Sequence, residues 1–479
     1  MTNKKLTIIS IILILLFLSL SLYNSGVLIH GIKVEEGYVS SQGATLRYLA
    51  WIPEETPVKG TAVLFHGYGG SSEMMSWIGV ELARQGYVAV AFDSRGHGKS
   101  SSTVSYNVSI LLRDYYSVVG AVDRVTGEVV LAGHSMGGRA VQEVGSRINA
   151  SRVIVIASSP LNTTSVEKKL LVLAMQDEIF TFSNIPINRL NGWEIYVSPT
   201  DDHLTILYNP AVVDKIVSWT VGKATYTYAW PRLIVTLLLS VLAVLLMIIV
   251  PLPFIGTDAA SYREAKTAPR LTWENIAVSA LVAPLAFLFF NAFTGITRAP
   301  IGSFILGVFY SQALGILFLY RRQLSQIKPF IAKFSPAVLL SGITLAVYSY
   351  LMMHSALQPF LNVEPSIYRL VILLVLYVLF LPPVFVLEAF SPRGGTSKVF
   401  LVRLASKAAC FAVAWLVLKI AIGGGFAGYF LIVVFMSLVL LIPLDLLASV
   451  IASRKIEQAN VVWLPILLSI LLGSVTPVT

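Results

Sequence analysis

The sequence predicts two architectures in one chain. Residues 24–230 read as an α/β domain with an eight-stranded, mostly parallel sheet and helices on both faces, and residues 231–479 as an all-α membrane bundle. Three observations predict this. The chain is 56% hydrophobic and only 13% charged, against roughly 25% charged in an ordinary soluble domain. Charge is also unevenly placed: residues 24–230 hold sixteen Lys and Arg against eighteen Asp and Glu, while the remainder holds nineteen against seven. Finally, short β-rich runs alternate with amphipathic stretches between residues 37 and 221, and bilayer-length apolar runs follow from 232 onward.

The first element is Leu6–Leu22, a nearly unbroken apolar run preceded by Lys4 and Lys5. It reads as a signal anchor or a signal peptide, and the lack of a clear small-x-small cleavage pattern favours a retained anchor over residues 1–23. Either way the following domain crosses the membrane. From residue 37, "GYVSSQGATLRYLAWIP" reads as a hairpin of two strands. "TAVLFHG", "YVAVAFDS", "EVVLAGHS", "RVIVIASS", "KLLVLAMQ" and "WEIYVSP" supply six more. Helix candidates between them are 74–85, 108–122, 138–149 and 209–221. The apolar runs do not alternate with polar residues, as strands buried on both faces require.

Further apolar spans lie near 232–250, 275–294, 303–320, 336–353, 368–387, 405–422, 428–448 and 461–475, giving about nine transmembrane helices with the first. A cytoplasmic N-terminus places Lys4, Lys5, Arg263, Lys266, Arg270, Arg321, Arg322, Lys328, Lys333, Arg393, Lys398, Arg403, Lys407, Arg454 and Lys455 inside. Arg232, Arg298, Arg369 and Lys419 are single exceptions at span ends that could snorkel. The Lys and Arg bias sets orientation, so the expectation is a multi-pass cell-membrane protein whose 24–230 domain is extracytoplasmic. The basic excess sits between apolar spans rather than on one polar face, which argues against a nucleic-acid partner. Cys410 is the single cysteine and falls within a span, so the outer domain has no disulfide. Sequons at Asn107, Asn149 and Asn162 all fall in the outer domain. No P-loop, haem or metal-ligand spacing is present, and no cofactor is expected.

In an open parallel sheet, ligands bind beyond the carboxyl ends of the strands. The polar residues of interest lie there: His66-Gly67-Tyr68-Gly69-Gly70, Asp93-Ser94-Arg95-Gly96-His97-Gly98, Gly133-His134-Ser135-Met136-Gly137, Asp177 and His203. A serine hydroxyl attacks a carbonyl only with a base to take its proton, a group to orient the base, and donors for the oxyanion. In G-x-S-x-G the serine occupies a tight strand-to-helix turn whose flanking glycines, here Gly133 and Gly137, avoid collisions. The next helix presents free N–H groups at the same point. That turn places the Met136 backbone N–H as one oxyanion donor and the Tyr68 N–H as the other. Among six histidines, His30 precedes the fold, His66 and His97 sit in glycine-rich loops, His134 adjoins the nucleophile and His354 ends a span. His203 remains as the base. Asp93 and Arg95 read as structural.

"LFHGYGGSS", "FDSRGHGKS" and "LAGHSMGG" resemble the α/β-hydrolase superfamily, specifically its monoglyceride lipase and serine aminopeptidase-like branch, over residues 37–221. The resemblance implies a triad in the order Ser, acid, His: Ser135, Asp177 and His203. "LAMQDEIF" resembles the family's G-x-x-D pattern with Ala174 in place of glycine, while Asp201 and Asp202 also lie near His203. Many relatives insert a helical lid after the sixth strand. Here about ten residues fill that place, so the lid is minimal and the pocket open.

Two function classes follow. One is a serine hydrolase that cleaves an ester or amide, lipase-, esterase- or peptidase-like, acting on a possibly lipid-linked substrate among membrane lipids, with acyl transfer by the same residues as a variant. The other is a transporter or lipid-handling bundle carrying a hydrolase-like sensing domain. Asn291, Gln312, Glu388, Lys419 and Asp445 are polar candidates for an intramembrane role, and snorkelling accounts for Glu388, Lys419 and Asp445, near predicted span ends, without a function.

Overall fold

The computed structural model describes residues 3–253 other than 182 and 184, 273–391, 395–422, 424–453 and 456–478. Arg263, Lys266, Arg270, Arg393, Arg454 and Lys455 of the basic loops lie outside the described residues. The chain forms two compact units. One comprises Phe17–Ser240, Ala356–Tyr368 and Pro477–Thr479; the other comprises Met1–Leu16, Val241–Ser355 and Arg369–Thr476.

The first unit contains the sheet. Its strands are β1 (Ile32–Ser41), β2 (Ala44–Pro53), β3 (Gly60–Phe65), β4 (Tyr87–Phe92), β5 (Glu128–His134), β6 (Arg152–Ile156), β7 (Lys168–Ala174) and β8 (Glu194–Ser198). They lie in the order β1-β2-β4-β3-β5-β6-β7-β8. Only the β1–β2 and β2–β4 pairings are antiparallel; all from β4 to β8 are parallel. Strand β1 begins five residues before the hairpin read from the sequence. Lys33, Glu35 and Glu36 occupy that start, and charges on an edge strand protect it from stray pairing while hiding it from a search for buried runs.

After α1 (Asn3–Gly26) come α2 (Ser76–Arg84), α3 (Val108–Ala121), α4 (Met136–Ile148) and α5 (Pro210–Val221). The sheet residues alternate between two cores. Ala62 and Leu64 pack with Ile78, Leu82, Val213 and Ile216 of α2 and α5. Val63 and Phe65 pack with Val118, Val141 and Val144 of α3 and α4. Both faces are therefore sealed, and polar groups can collect only at the strand ends. Because β3 lies between β4 and β5, the chain leaves it towards opposite sides, and the loops after β3 and β5 open the crevice where such sheets bind ligands.

Among the described residues, eight helices are long and apolar enough to cross a membrane: Lys4–Gly26, Ala229–Ile249, Pro300–Leu319, Pro336–Leu357, Ile367–Ala389, Thr396–Ala421, Leu431–Ala452 and Gln458–Val475. A ninth arises if Glu274–Val282 and Leu285–Thr297, bent by 55°, count as one span. Pro284 sits at that break, removing a backbone donor where the helix turns. Gly307 permits close helix approach: a Cβ there would lie 2.5 Å from the Ala286 carbonyl oxygen.

Within the helical unit, Glu388 and Asp445 are buried and paired rather than reaching for a water interface. Arg403 sits in the helix Thr396–Ile422 and bridges to Glu388, and Lys407 Nζ lies 2.6 Å from Asp445. Asn460 Nδ2 donates to Glu388 at 2.9 Å. Arg369 is also buried, donating through Nη1 to the carbonyls of Ser474 at 2.8 Å and Thr476 at 2.7 Å. It satisfies carbonyls at a helix end that have no partner within the helix.

Candidate active site

The turn between β5 and α4 sets the site. Ser135 has φ 53° and ψ −114°, a strained backbone for a residue with a side chain. Its N–H donates to the Ile156 carbonyl at 2.9 Å, which pins the turn to β6. Both flanking glycines are sterically required. A Cβ on Gly133 would lie 2.2 Å from the Gly137 carbonyl oxygen, and one on Gly137 would lie 2.2 Å from that of Phe65. The loop after β3 passes against the same turn, since a Cβ on Gly67 would meet Ser135 Cβ at 3.2 Å. Tyr68 and Met136, the two sequence-predicted oxyanion donors, thus follow directly on residues that line the turn.

Three side chains from separate strand ends meet here. Ser135 Oγ lies 3.0 Å from His203 Nε2, and His203 Nδ1 lies 2.9 Å from Asp177 Oδ2. With Nδ1 donating to the carboxylate, Nε2 is left to accept the serine proton. Asp177 Oδ1 accepts the backbone N–H groups of Ile179 at 2.8 Å and Phe180 at 2.7 Å. Burial pushes the Asp177 carboxyl upward, but the His203 hydrogen bond and charge, helped by these two amides, hold it below the ordinary carboxylate value. The neighbouring carboxylates are committed elsewhere. Asp201 Oδ2 accepts from Asn209 Nδ2 at 2.7 Å, and Asp202 Oδ1 accepts from the N–H groups of Leu204 and Thr205, both at 2.8 Å.

The supporting loops are fixed by buried polar groups. His66 donates from Nδ1 to the Gly67 carbonyl at 2.7 Å and accepts the Ser94 N–H at Nε2 at 2.9 Å, joining the loops after β3 and β4. Asp93 accepts from the Ser72 N–H and hydroxyl, both at 2.7 Å, and from the Lys99 N–H at 2.8 Å. Burial works to raise its pKa, and Arg47 with the hydrogen bonds outweighs it. Arg95 binds Asp114 through Nε at 2.9 Å and Nη2 at 2.7 Å. Neither Asp93 nor Arg95 reaches the serine–histidine pair.

One contributor has no signal in the sequence beyond its place beside the serine. His134 Nε2 donates to the His203 backbone carbonyl at 2.8 Å, and the two rings lie 4.9 Å apart. Burial and the His203 charge lower its pKa to about 3, so at neutral pH it is an uncharged brace. Phe180 stacks on the His203 ring at 5.8 Å. Beside Met136 and Gly137, an open cleft is lined by Phe65, Val104, Tyr106, Val108 and Leu111, together with Arg139. Only residues 157–167 separate β6 from β7, leaving no helical lid there. Among the described residues, no group of three His, Cys, Asp or Glu side chains is arranged to hold a metal.

Known proteins are similar to part of the chain. The family model for serine aminopeptidase, S33, matches residues 56–228. A monoacylglycerol lipase of Mycolicibacterium smegmatis is 29% identical over 132 residues, covering 27% of this chain and 47% of that protein. Cutinase est2 of Thermobifida alba is 25% identical over 195 residues, covering 39% and 62%. The chain therefore spans about half to three fifths of the length of these relatives. A solved CIB-like hydrolase of Thermoplasma acidophilum superposes with a TM-score of 0.33 at 19% identity, over 40% of this chain and 98% of that one. The sheet order and the family match together show an α/β-hydrolase fold in the part of the chain that holds residues 56–228, which is similar to the serine aminopeptidase, S33, family, in a chain that also carries a set of long apolar helices.

Proposed function

We propose that this chain is a membrane-bound serine hydrolase that cleaves an ester or amide on the outer face of the cell membrane. In this reading residues 1–23 are a retained anchor, 24–230 the extracytoplasmic catalytic domain and 231–479 an eight-helix membrane domain. One observation carries it: the continuous hydrogen-bond chain from Ser135 through His203 to Asp177, at 3.0 and 2.9 Å.

Ser135 Oγ attacks the substrate carbonyl as His203 Nε2 takes its proton. The backbone N–H groups of Met136 and Tyr68 receive the negative charge that develops on the carbonyl oxygen. Asp177 keeps the imidazole in the tautomer that can accept, and stabilises the imidazolium. Collapse of the tetrahedral species breaks the bond to the leaving group, which takes the proton from His203. Water, deprotonated by His203, then attacks the acyl-enzyme; as the ester bond to Ser135 breaks, His203 returns that proton to Ser135 Oγ and the acid is released.

The cleft beside Met136 is largely apolar and suits an acyl or alkyl portion. The relatives named as a monoacylglycerol lipase and a cutinase favour lipid-like esters over peptides. The lack of a lid between β6 and β7 fits a substrate that approaches from a lipid surface. Orientation rests on the placement of Lys and Arg between spans.

The test is hydrolysis of a monoacylglycerol and a short p-nitrophenyl ester by the purified full chain. Turnover lost in Ser135→Ala supports the proposal; ester turnover equal in both proteins overturns it. Labelling of intact cells by a membrane-impermeant fluorophosphonate supports the outward orientation, and labelling only after permeabilisation reverses it.

A further inference from the structure

The unit that holds the site includes a piece of chain from far along the sequence. Ala356–Tyr368 belongs to it, although this segment links two long apolar helices, Pro336–Leu357 and Leu370–Ala389. Its attachments fall on helix α2 and on three loops of the site. The Pro359 carbonyl accepts from Trp77 Nε1 at 3.0 Å and the Phe360 carbonyl from the Tyr208 hydroxyl at 3.2 Å. The Phe360 ring stacks on Trp77 at 5.9 Å and meets the Tyr208 ring edge-on at 5.0 Å. The Asn362 N–H donates to Ser71 Oγ at 2.9 Å, and Glu364 forms an ion pair with Lys99.

Each attachment is a short, stiff step from a site residue. Tyr208 closes the turn that begins at His203: its N–H donates to the Thr205 carbonyl at 2.9 Å, and Asp202 caps the start of that turn. Ser71 follows the tight turn in which the Gly70 N–H donates to the Gly67 carbonyl at 3.0 Å, with Tyr68 inside it. Lys99 donates its N–H to Asp93, the group that also holds Ser72.

We propose that Ala356–Tyr368 is a positioning strap for the active site, with Phe360 as its main positioning residue, holding His203 through Tyr208 and the Tyr68 loop through Ser71. This rests on the hydrolase reading above. The strap is covalently continuous with the two flanking apolar helices and is bound to the loops of the base and of an oxyanion donor by hydrogen bonds and ring contacts, which gives those helices a means to influence turnover.

The test uses the full chain in lipid nanodiscs with Phe360→Ala, Phe360→Leu and Tyr208→Phe. Displacement of a reacting group by about 1 Å can cost about a hundredfold in rate. Phe360→Ala is therefore expected to lower kcat by about tenfold to a hundredfold with KM nearly unchanged. Tyr208→Phe should show a smaller loss, and Phe360→Leu should recover most of the rate. Hydrogen exchange in Phe360→Ala should accelerate in residues 66–75 and 199–209 and stay unchanged in β5. Unchanged exchange in both loops overturns the strap, as does acceleration spread equally into β5, which would mean packing alone. If the wild type hydrolyses nothing, the hydrolase reading fails while the exchange measurement still decides the strap.

Discussion

Both units bury ion pairs, but they put buried charge to different uses. In the sheet unit, Asp93 and Asp114 pair with the buried Arg47 and Arg95, while Asp177 sits at a strand end held by His203 and two backbone N–H groups. The partners of Asp177 leave one histidine free to face a half-buried serine. In the helical unit, Glu388, Arg403, Lys407 and Asp445 neutralise one another within the bundle. The first arrangement leaves an acid–base pair able to act on something else. The second consumes its charges in fixing which helices meet, a use for which a buried pair costs desolvation and returns specificity. Substitutions should therefore remove chemistry with little loss of stability in one unit, and stability with little loss of chemistry in the other.

The largest separation is expected at Ser135. Ser135→Ala should lower ester turnover by about 10⁶-fold and leave the thermal unfolding midpoint within about a degree or two of the wild type, since only one half-buried hydroxyl is lost. A drop in the midpoint matching the drop in activity would erase the contrast. Next comes the acid: Asp177→Asn should cost about 10⁴-fold in kcat by favouring the wrong histidine tautomer, while Asp202→Asn, whose carboxylate caps a turn, should change kcat only a few-fold. Equal losses at both positions would reassign the orienting group.

In the helical unit, Lys407→Met leaves Asp445 only the longer Arg403 contact at 3.6 Å and should destabilise the protein by up to about 3–5 kcal/mol, read as a lower unfolding midpoint in detergent. Adding Asp445→Leu should restore most of that, and fluorophosphonate labelling of the folded fraction should match wild type throughout. Failure of the double variant to recover would mean that the pair does more than lock helices. The smallest effect concerns pH. His134 titrates at about 3 in the fold against an ordinary 6.5, so between those values the unfolded chain binds a proton that the folded one refuses. Stability therefore falls as pH drops below 6.5, by about 2 kcal/mol at pH 5. His134→Gln should flatten that slope in urea titrations at pH 5 and 7; an unchanged slope would exclude this brace as the cause.

Much of the sheet unit is legible in the sequence because its strands are buried on both faces and read as unbroken apolar runs, and because the loops of interest follow them directly. The turn at Gly133–Gly137 marks Ser135 and elimination marks His203, whereas Asp177 is legible only through the family resemblance, with Asp201 and Asp202 nearer to His203 in the chain. Strand β1 is less legible, since an edge strand carries charges where a central one carries valine. His134 is silent because its effect is exerted through the backbone of His203, and Phe360 because a residue 157 positions beyond His203 along the chain gives no local cue to a contact. Glu388 and Asp445 lie close to span ends, where snorkelling would be equally good physics until Arg403 and Lys407 are seen beside them.

The most direct test of the central claim is mass spectrometry of the fluorophosphonate adduct on the purified full chain. The account predicts a single phosphonylated peptide carrying Ser135, formed at least a hundredfold more slowly in His203→Ala, a conservative floor for loss of the general base. An adduct on another residue, or an equal rate of labelling without His203, would contradict it.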